Sequence, residues 1–189
     1  MSRRIAYFIS SHGFGHATRA TAIMAALSAR DSEICFDIFT GTPEWLFLDA
    51  GLTDYTYHPG AVDVGLVQKS PMEHDLLKTI EALEKYLDEI PQRAGKLSEE
   101  LKRAGVRAVI CDISPLGIVT GKLAGLPVLL FENFTWDWIY DPYIPEFPGF
   151  FLSCKADIIR KNKHCRTAGS YSIIKICIIM MTSNQRRKQ

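Results

Sequence analysis

The sequence predicts an α/β domain on a parallel sheet, and three observations lead there. Short apolar runs of strand length alternate with segments whose apolar residues recur at helical spacing. Most of those runs are apolar at successive positions, as in strands covered on both faces. A glycine-rich turn joins the first run to the first helical segment. The runs Ile5–Ile9, Ile34–Thr40, Tyr55–Tyr57, Ala108–Cys111 and Pro127–Phe131 are therefore five strands with right-handed crossovers.

Each element carries its own signals. Ile5–Ile9 stops at Ser10-Ser11, and His12-Gly13-Phe14-Gly15-His16 follows. Ala17–Leu27 then presents Ala20, Ile23, Met24 and Leu27 on one helical face. After the second strand, Thr42 before Pro43 has the pattern of an N-cap and a first helical residue. A helix over Glu44–Ala50 is expected there, stopped by Gly51. Residues 61–74 show no period and read as a loop. Asp75–Ala104 is the longest helical stretch, with Leu76, Leu77, Ile80, Leu83, Leu87 and Ile90 spaced three and four apart. Pro91 either kinks that helix or opens a second one, and Gly105 ends it. Ser114-Pro115 opens another helix that runs to Ala124-Gly125. Residues 132–140 read as a loop dense in aromatic and polar side chains.

The whole is a Rossmann-like parallel sheet with helices on both faces. In strand order 3-2-1-4-5 the switch point falls between strands 1 and 4, where open α/β sheets bind ligands beyond the carboxyl ends of their strands. The glycine turn and the Asp112–Pro115 turn then face each other, with the Trp136 loop alongside.

Hydrophobic residues are 47% and charged residues 23%, a soluble globular mixture. A net charge of +1 argues against nucleic acid as a partner. It conceals an asymmetry: through Asp157 there are 14 Lys and Arg against 21 Asp and Glu, and from Ile158 onward 8 against none. That break divides the chain into a domain over 1–157 and a basic tail over 158–189, irregular or the product of a truncation or change of frame. The five cysteines show neither a C-x-x-C pair nor zinc spacing, and Cys35 and Cys111 fall in strand-like runs where small buried thiols are usual. No signal peptide or transmembrane segment is visible; the late apolar run Ile173–Met181 is interrupted by Lys175. A reducing cytoplasm is the expected compartment.

Strand, glycine turn and helix N-terminus together suit a phosphate or another anion. Glycines let the backbone approach closely, and the helix start offers unpaired N–H groups and the positive end of its dipole. Gly13, Phe14 and Gly15 are the binding candidates in that turn. The dinucleotide fingerprint is incomplete, since Thr18 holds the third glycine position and Thr40-Gly41 stands where an acidic residue would close the second strand. An NAD site is thus not expected, and no Gly-Lys-Ser/Thr makes a P-loop.

His12 and His16 frame the two glycines. His16, at the helix start, reads as a group that hydrogen-bonds a phosphate or takes a proton from a hydroxyl. His12 stands evenly between such chemistry and a structural part, and the pair alone lacks the further ligands zinc requires. Arg19 either meets an anionic ligand or is neutralised by a nearby carboxylate. Asp112 reads as a turn-forming residue before it reads as a catalyst. Glu132, Asn133, Trp136, Asp137 and Tyr140 form either a sugar-gripping set or an amphipathic cover over the sheet edge.

The stretch His12-Gly-Phe-Gly-His16-Ala-Thr-Arg19 resembles the N-terminal domain of GT-B glycosyltransferases. It is most similar to the subgroup resembling the glycosyltransferase-like N-terminal half of plant L-arabinokinases. That subgroup carries the same H-G-F-G-H-A-T-R turn and an N-F-S-W-D-F-I-Y segment, close to Asn133-Phe-Thr-Trp-Asp-Trp-Ile-Tyr140 here. The resemblance covers about residues 3–157. The shorter Gly15-His16 turn is also similar to the transferase that adds N-acetylglucosamine to lipid-linked peptidoglycan precursors.

The resemblance implies a two-domain enzyme moving a sugar from a nucleotide-diphosphate sugar donor to a sugar or lipid-linked acceptor, with no metal or other cofactor. The N-terminal domain would hold the acceptor and aim the glycine turn at the phosphates. His16 matches the turn histidine that is the general base in some relatives. The donor nucleotide sits mainly in a second Rossmann-like domain in that family. These 189 residues would then be the acceptor-side half, truncated and inactive alone or completed by a partner chain. The alternative is a non-catalytic sugar- or nucleotide-binding module.

Overall fold

The structure is a computed structural model that describes residues 3–132, 134, 136–143, 165–167 and 175–179. In chain order its elements are β1 (Arg3–Ile9), α1 (Phe14–Arg30), β2 (Ile34–Thr40), α2 (Trp45–Asp49), β3 (Tyr55–Pro59), β4 (Gln68–Ser70) and β5 (Glu73–His74). There follow α3 (Leu76–Arg103), β6 (Ala108–Asp112), α4 (Pro115–Ala124), β7 (Val128–Glu132), α5 (Trp136–Tyr140), β8 (Cys165–Thr167) and β9 (Lys175–Ile179).

The main sheet runs β3-β2-β1-β6-β7-β9-β8, and its first five strands are parallel. The alternation of strands and helices predicts a parallel sheet, and the order 3-2-1-4-5 supposed for its five strands is the one found. β7 pairs antiparallel with β9, and β9 with β8, so two short strands within the basic tail extend the sheet. The basic clusters at 160–163 and 186–188 lie outside the described residues.

Strands covered on both faces alternate between two cores. Tyr7 and Ile9 of β1 join Phe36, Ile38 and Ile110 against Ala17, Ala20 and Met24 of α1 and Phe47 of α2. Ala6 and Phe8 face the other way, with Val109, Cys111, Val128 and Leu130, against α3 and α4. Burial pushes the Cys111 thiol well above its ordinary value, which suits a packing residue and not a nucleophile.

Several elements differ in detail from expectation. α1 starts at Phe14, inside the glycine turn, because Gly13 adopts φ 87° and turns the chain directly into the helix. α2 begins only at Trp45, and Thr42 does not cap it. The Thr42 N–H instead donates to Thr40 Oγ1, and its carbonyl accepts from the Tyr57 hydroxyl. α3 is a single helix with Pro91 inside it, and the Asp75 carboxylate accepts from Lys78 N–H at its start. Its buried face runs through Thr79, Leu83, Tyr86, Ile90, Ala94, Ser98 and Leu101, which leaves Leu77 64% exposed. Residues 61–74 contain the hairpin β4–β5, and residues 136–140 form a helical turn where a loop was expected.

α4 starts as its sequence predicts: the Ser114 hydroxyl accepts from Gly117 N–H, and Pro115 takes the first position. A Cβ on Gly117 would lie 2.7 Å from Cys111 Sγ and from Phe8 Cβ, so α4 sits as close to the sheet as a backbone can. Gly95 in α3 is the contrasting case, since a Cβ there meets nothing within 4 Å. Gly117→Ala should therefore cost about 1–3 kcal/mol by overpacking. Gly95→Ala should gain roughly 0.5–1 kcal/mol through lost freedom of the unfolded chain. Urea denaturation of the two variants beside the wild type measures both signs.

Candidate functional site at the switch point of the sheet

The sheet order reverses between β1 and β6, and their last residues, Ile9 and Asp112, stand opposite each other in register. Whatever leaves those two strand ends meets in the crevice. From β1 the chain passes through Ser10 and Ser11 into the glycine turn. Gly13, Phe14 and Gly15 are exposed, and a Cβ on either glycine would meet nothing within 4 Å. No side chain caps α1, and its first turn carries no acid, so the amides at its start are open to a ligand. Phe14 points outward and meets Trp45 edge-on at 5.9 Å.

From β6 the chain delivers Asp112, whose side chain is 0% exposed. Ile113 follows with φ 47°, a conformation that a β-branched residue adopts only under strain. That sharp step, with Ile113 anchored in a cluster beside Leu83, Trp136 and Tyr140, holds Asp112 turned towards α1. Its Oδ1 lies 2.6 Å from His16 Nδ1, and it accepts from Arg19 Nη2 at 2.6 Å while Oδ2 accepts from Arg19 Nε at 2.9 Å. An ionised carboxylate only accepts, so His16 Nδ1 carries a proton towards it, and in the neutral ring Nε2 keeps its lone pair.

Asp112 thus binds side chains of α1 and not the amides of its own turn. Arg19, left open between a ligand and a carboxylate, is committed to Asp112 by the two-pronged contact that guanidinium geometry favours. The Tyr7 hydroxyl, buried below and near Asp112, is pushed far above its ordinary value, first by burial and then by that carboxylate.

The aromatic segment closes one flank. Phe134 meets the His16 ring edge-on at 5.9 Å, and Trp136 meets His12 edge-on at 4.9 Å. Trp136 itself is only 8% exposed; its ring packs against Tyr140, and its indole N–H donates to Asp63 at 3.0 Å. An indole so enclosed serves as a wall and not as a free stacking platform. Glu132 ends β7 in register with Lys175 of β9, Asp137 lies on α5, and Asn133 lies outside the described residues.

Asp63 is a site residue the sequence did not reveal, sitting in a stretch that reads as loop. Backbone carbonyls of that stretch are held by side chains from two helices and one helix cap. Tyr86 and Ser114 both donate to the Val62 carbonyl, Tyr140 to Val64 and Arg93 to Ala61. Burial lifts the Asp63 carboxyl above its ordinary range, opposed by the nearby Ser10 hydroxyl, the charge of His12, the Trp136 indole and the charge of His16. Spacing alone has no means of pairing residue 63 with residues 12 and 136.

Among the described residues, no group of three or more His, Cys, Asp or Glu side chains could hold a metal ion, and no helix is long and apolar enough to cross a membrane. A hollow of ≈ 280 Å³ lies elsewhere, between the end of β3 and α3, and is lined by His58, Gly60, Arg93 and Lys96 among others. Beside Trp136 a void of ≈ 20 Å³ has room for about one water.

No family model matches the chain. L-arabinokinase of Arabidopsis thaliana is 28% identical over 165 residues, 85% of this chain. This chain is similar to a part of that protein. It spans only 15% of that relative's length. The likeness bears out the resemblance carried by the two motifs.

Three solved structures overlap it as well. MurG of Acinetobacter baumannii does so at 16% identity over 68% of this chain and 34% of its own, with a TM-score of 0.43. A ugt transferase from Siraitia grosvenorii in complex with UDP overlaps 69% of this chain and 28% of its own at 13% identity and a TM-score of 0.43. UGT2 of Phytolacca americana, complexed with UDP-2fluoro-glucose and pterostilbene, overlaps 78% and 34% at 15% identity and 0.48. Overlaps at that level add nothing to the strand order and register already described.

Two outcomes follow from the geometry. Asp112→Ala strands Arg19 and His16 without their buried counter-charge and should cost about 3–5 kcal/mol in urea denaturation. The second outcome concerns pH. Folded Asp63 keeps its proton to higher pH than the unfolded chain does, so between those two points the folded state binds more protons and stability falls as pH rises. Asp63→Asn should flatten that descent, read as melting temperature against pH from the acid range to neutrality.

Proposed function

We propose that the chain is the acceptor-side part of a GT-B-type glycosyltransferase, taking a sugar from a nucleotide-diphosphate sugar to an acceptor hydroxyl. The observation that carries the reading is the 2.6 Å buried contact between His16 Nδ1 and Asp112 at the carboxyl edge of the sheet. The carboxylate orients the imidazole and stabilises the imidazolium that forms, and Nε2 takes the proton from the attacking hydroxyl. Arg19 offsets the remaining charge of Asp112, which keeps the pair in one geometry. The exposed turn at Gly13 and Gly15 and the uncapped start of α1 would hydrogen-bond the departing diphosphate.

Three supports stand behind this: the two motifs at their separation, the similarity to L-arabinokinase, and a site at the carboxyl edge of a parallel sheet. In that reading a second domain, on the rest of a longer chain or on a partner, holds the nucleotide. A sugar- or nucleotide-binding module without turnover is the competing reading, and it shares the turn and not the base.

Hydrolysis or transfer with a panel of nucleotide sugars, together with UDP calorimetry, separates the two. His16→Ala should lower turnover roughly 10²–10⁴-fold while leaving UDP binding intact. Turnover unaffected by that change removes the role given to His16, and UDP binding without turnover when the second domain is supplied selects the binding module.

A further inference from the structure

Two buried carboxylates border the crevice, and they are neutralised differently. Asp112 has Arg19. The side chain of Asp63 is 0% exposed, yet the charges that reach it are those of two imidazoles, His12 first and His16 more weakly. An ionised carboxylate removed from water is costly without a cation and hydrogen bonds. Asp63 Oδ2 accepts from the Trp136 indole, while Oδ1 has no hydrogen-bond partner among the described residues and lies 3.8 Å from His12 Nε2. The His12 side chain is 37% exposed, so it reaches the mouth that Asp63 cannot.

The ring of His12 is also seated. It lies over Gly65, where a Cβ would fall 2.3 Å from Cε1 and 2.6 Å from Nε2, and against the edge of Trp136. Glycine at 65 is thus the residue that leaves space for the imidazole. Its backbone φ is unexceptional, so conformational freedom does not account for it.

We propose that Asp63 is a positioning residue that fixes the His12 imidazole over Gly65 and presents it at the mouth as a second imidazole, distinct from His16. The ligand it serves rests on the transferase reading. Beside the glycine turn, an imidazolium whose Nε2 faces Asp63 turns its other N–H to an anionic oxygen, of the kind a diphosphate presents. The groups facing Asp63 are Ser10 after β1, His12 in the turn, His16 of α1 and Trp136 of α5, with Tyr86 of α3 feeling its charge.

Coupling between two sites is reciprocal, so it can be read at either partner. The test follows the Asp63 carboxyl carbon by NMR through a pH titration of the full chain. His12→Gln removes the opposing cation and should move the Asp63 midpoint further up, with the Trp136 indole N–H signal unmoved. Gly65→Ala leaves every charge in place, displaces the ring, and should move the midpoint the same way. A midpoint that stays put in His12→Gln overturns the proposal. Adding UDP asks a separate question: a coupled pair that UDP leaves untouched keeps the positioning role and removes the diphosphate ligand.

Discussion

A single buried carboxylate organises this molecule. Asp112 ends a central strand with no solvent access, and a charge in that place must be met by other charges or hydrogen bonds. His16 and Arg19, both from the first turns of α1, meet it. That requirement locks α1 against the end of β6 across the point where the sheet changes direction. It therefore sets where the glycine turn lies, since the turn is the only connection between β1 and α1. The strained step at Ile113 is consistent with a backbone held to that purpose.

The rest of the site is built from the outside in. The stretch 61–67 carries polar backbone groups that would be orphaned beneath a helix, and α3, α4 and α5 contribute hydroxyls and a guanidinium to satisfy them. Those same contacts carry Asp63 under the glycine turn, where Trp136 and His12 close over it. Each histidine consequently has its own carboxylate and its own aromatic neighbour: Asp112 and Phe134 for His16, Asp63 and Trp136 for His12. The pairs differ in exposure and in the cation available, which is why they suit different tasks.

Much of this was legible in the chain itself. Apolar runs without alternation, the helix start at Ser114-Pro115, and stops at Gly105 and Gly125 mark elements through local chemistry, and local chemistry is written in adjacent residues. The glycine–histidine turn was readable for the same reason, as was its place at a helix start. Residues whose meaning lies in a distant partner were harder to read. Asp112 passes for a turn former because its true partners are 93 and 96 positions away. Trp136 passes for a sugar platform because nothing nearby in sequence shows that Asp63 takes its N–H.

The sequence by itself determined the layered α/β plan, the five strands of its parallel sheet and the turn that opens α1, since periodicity and glycine act over a few residues. Tertiary structure alone decided which carboxylate serves which imidazole, that Arg19 faces inward, and that a featureless stretch supplies Asp63. Those outcomes depend on burial, and burial is a property of the packed chain: only when water is excluded does an unpaired charge become costly enough to choose its partners.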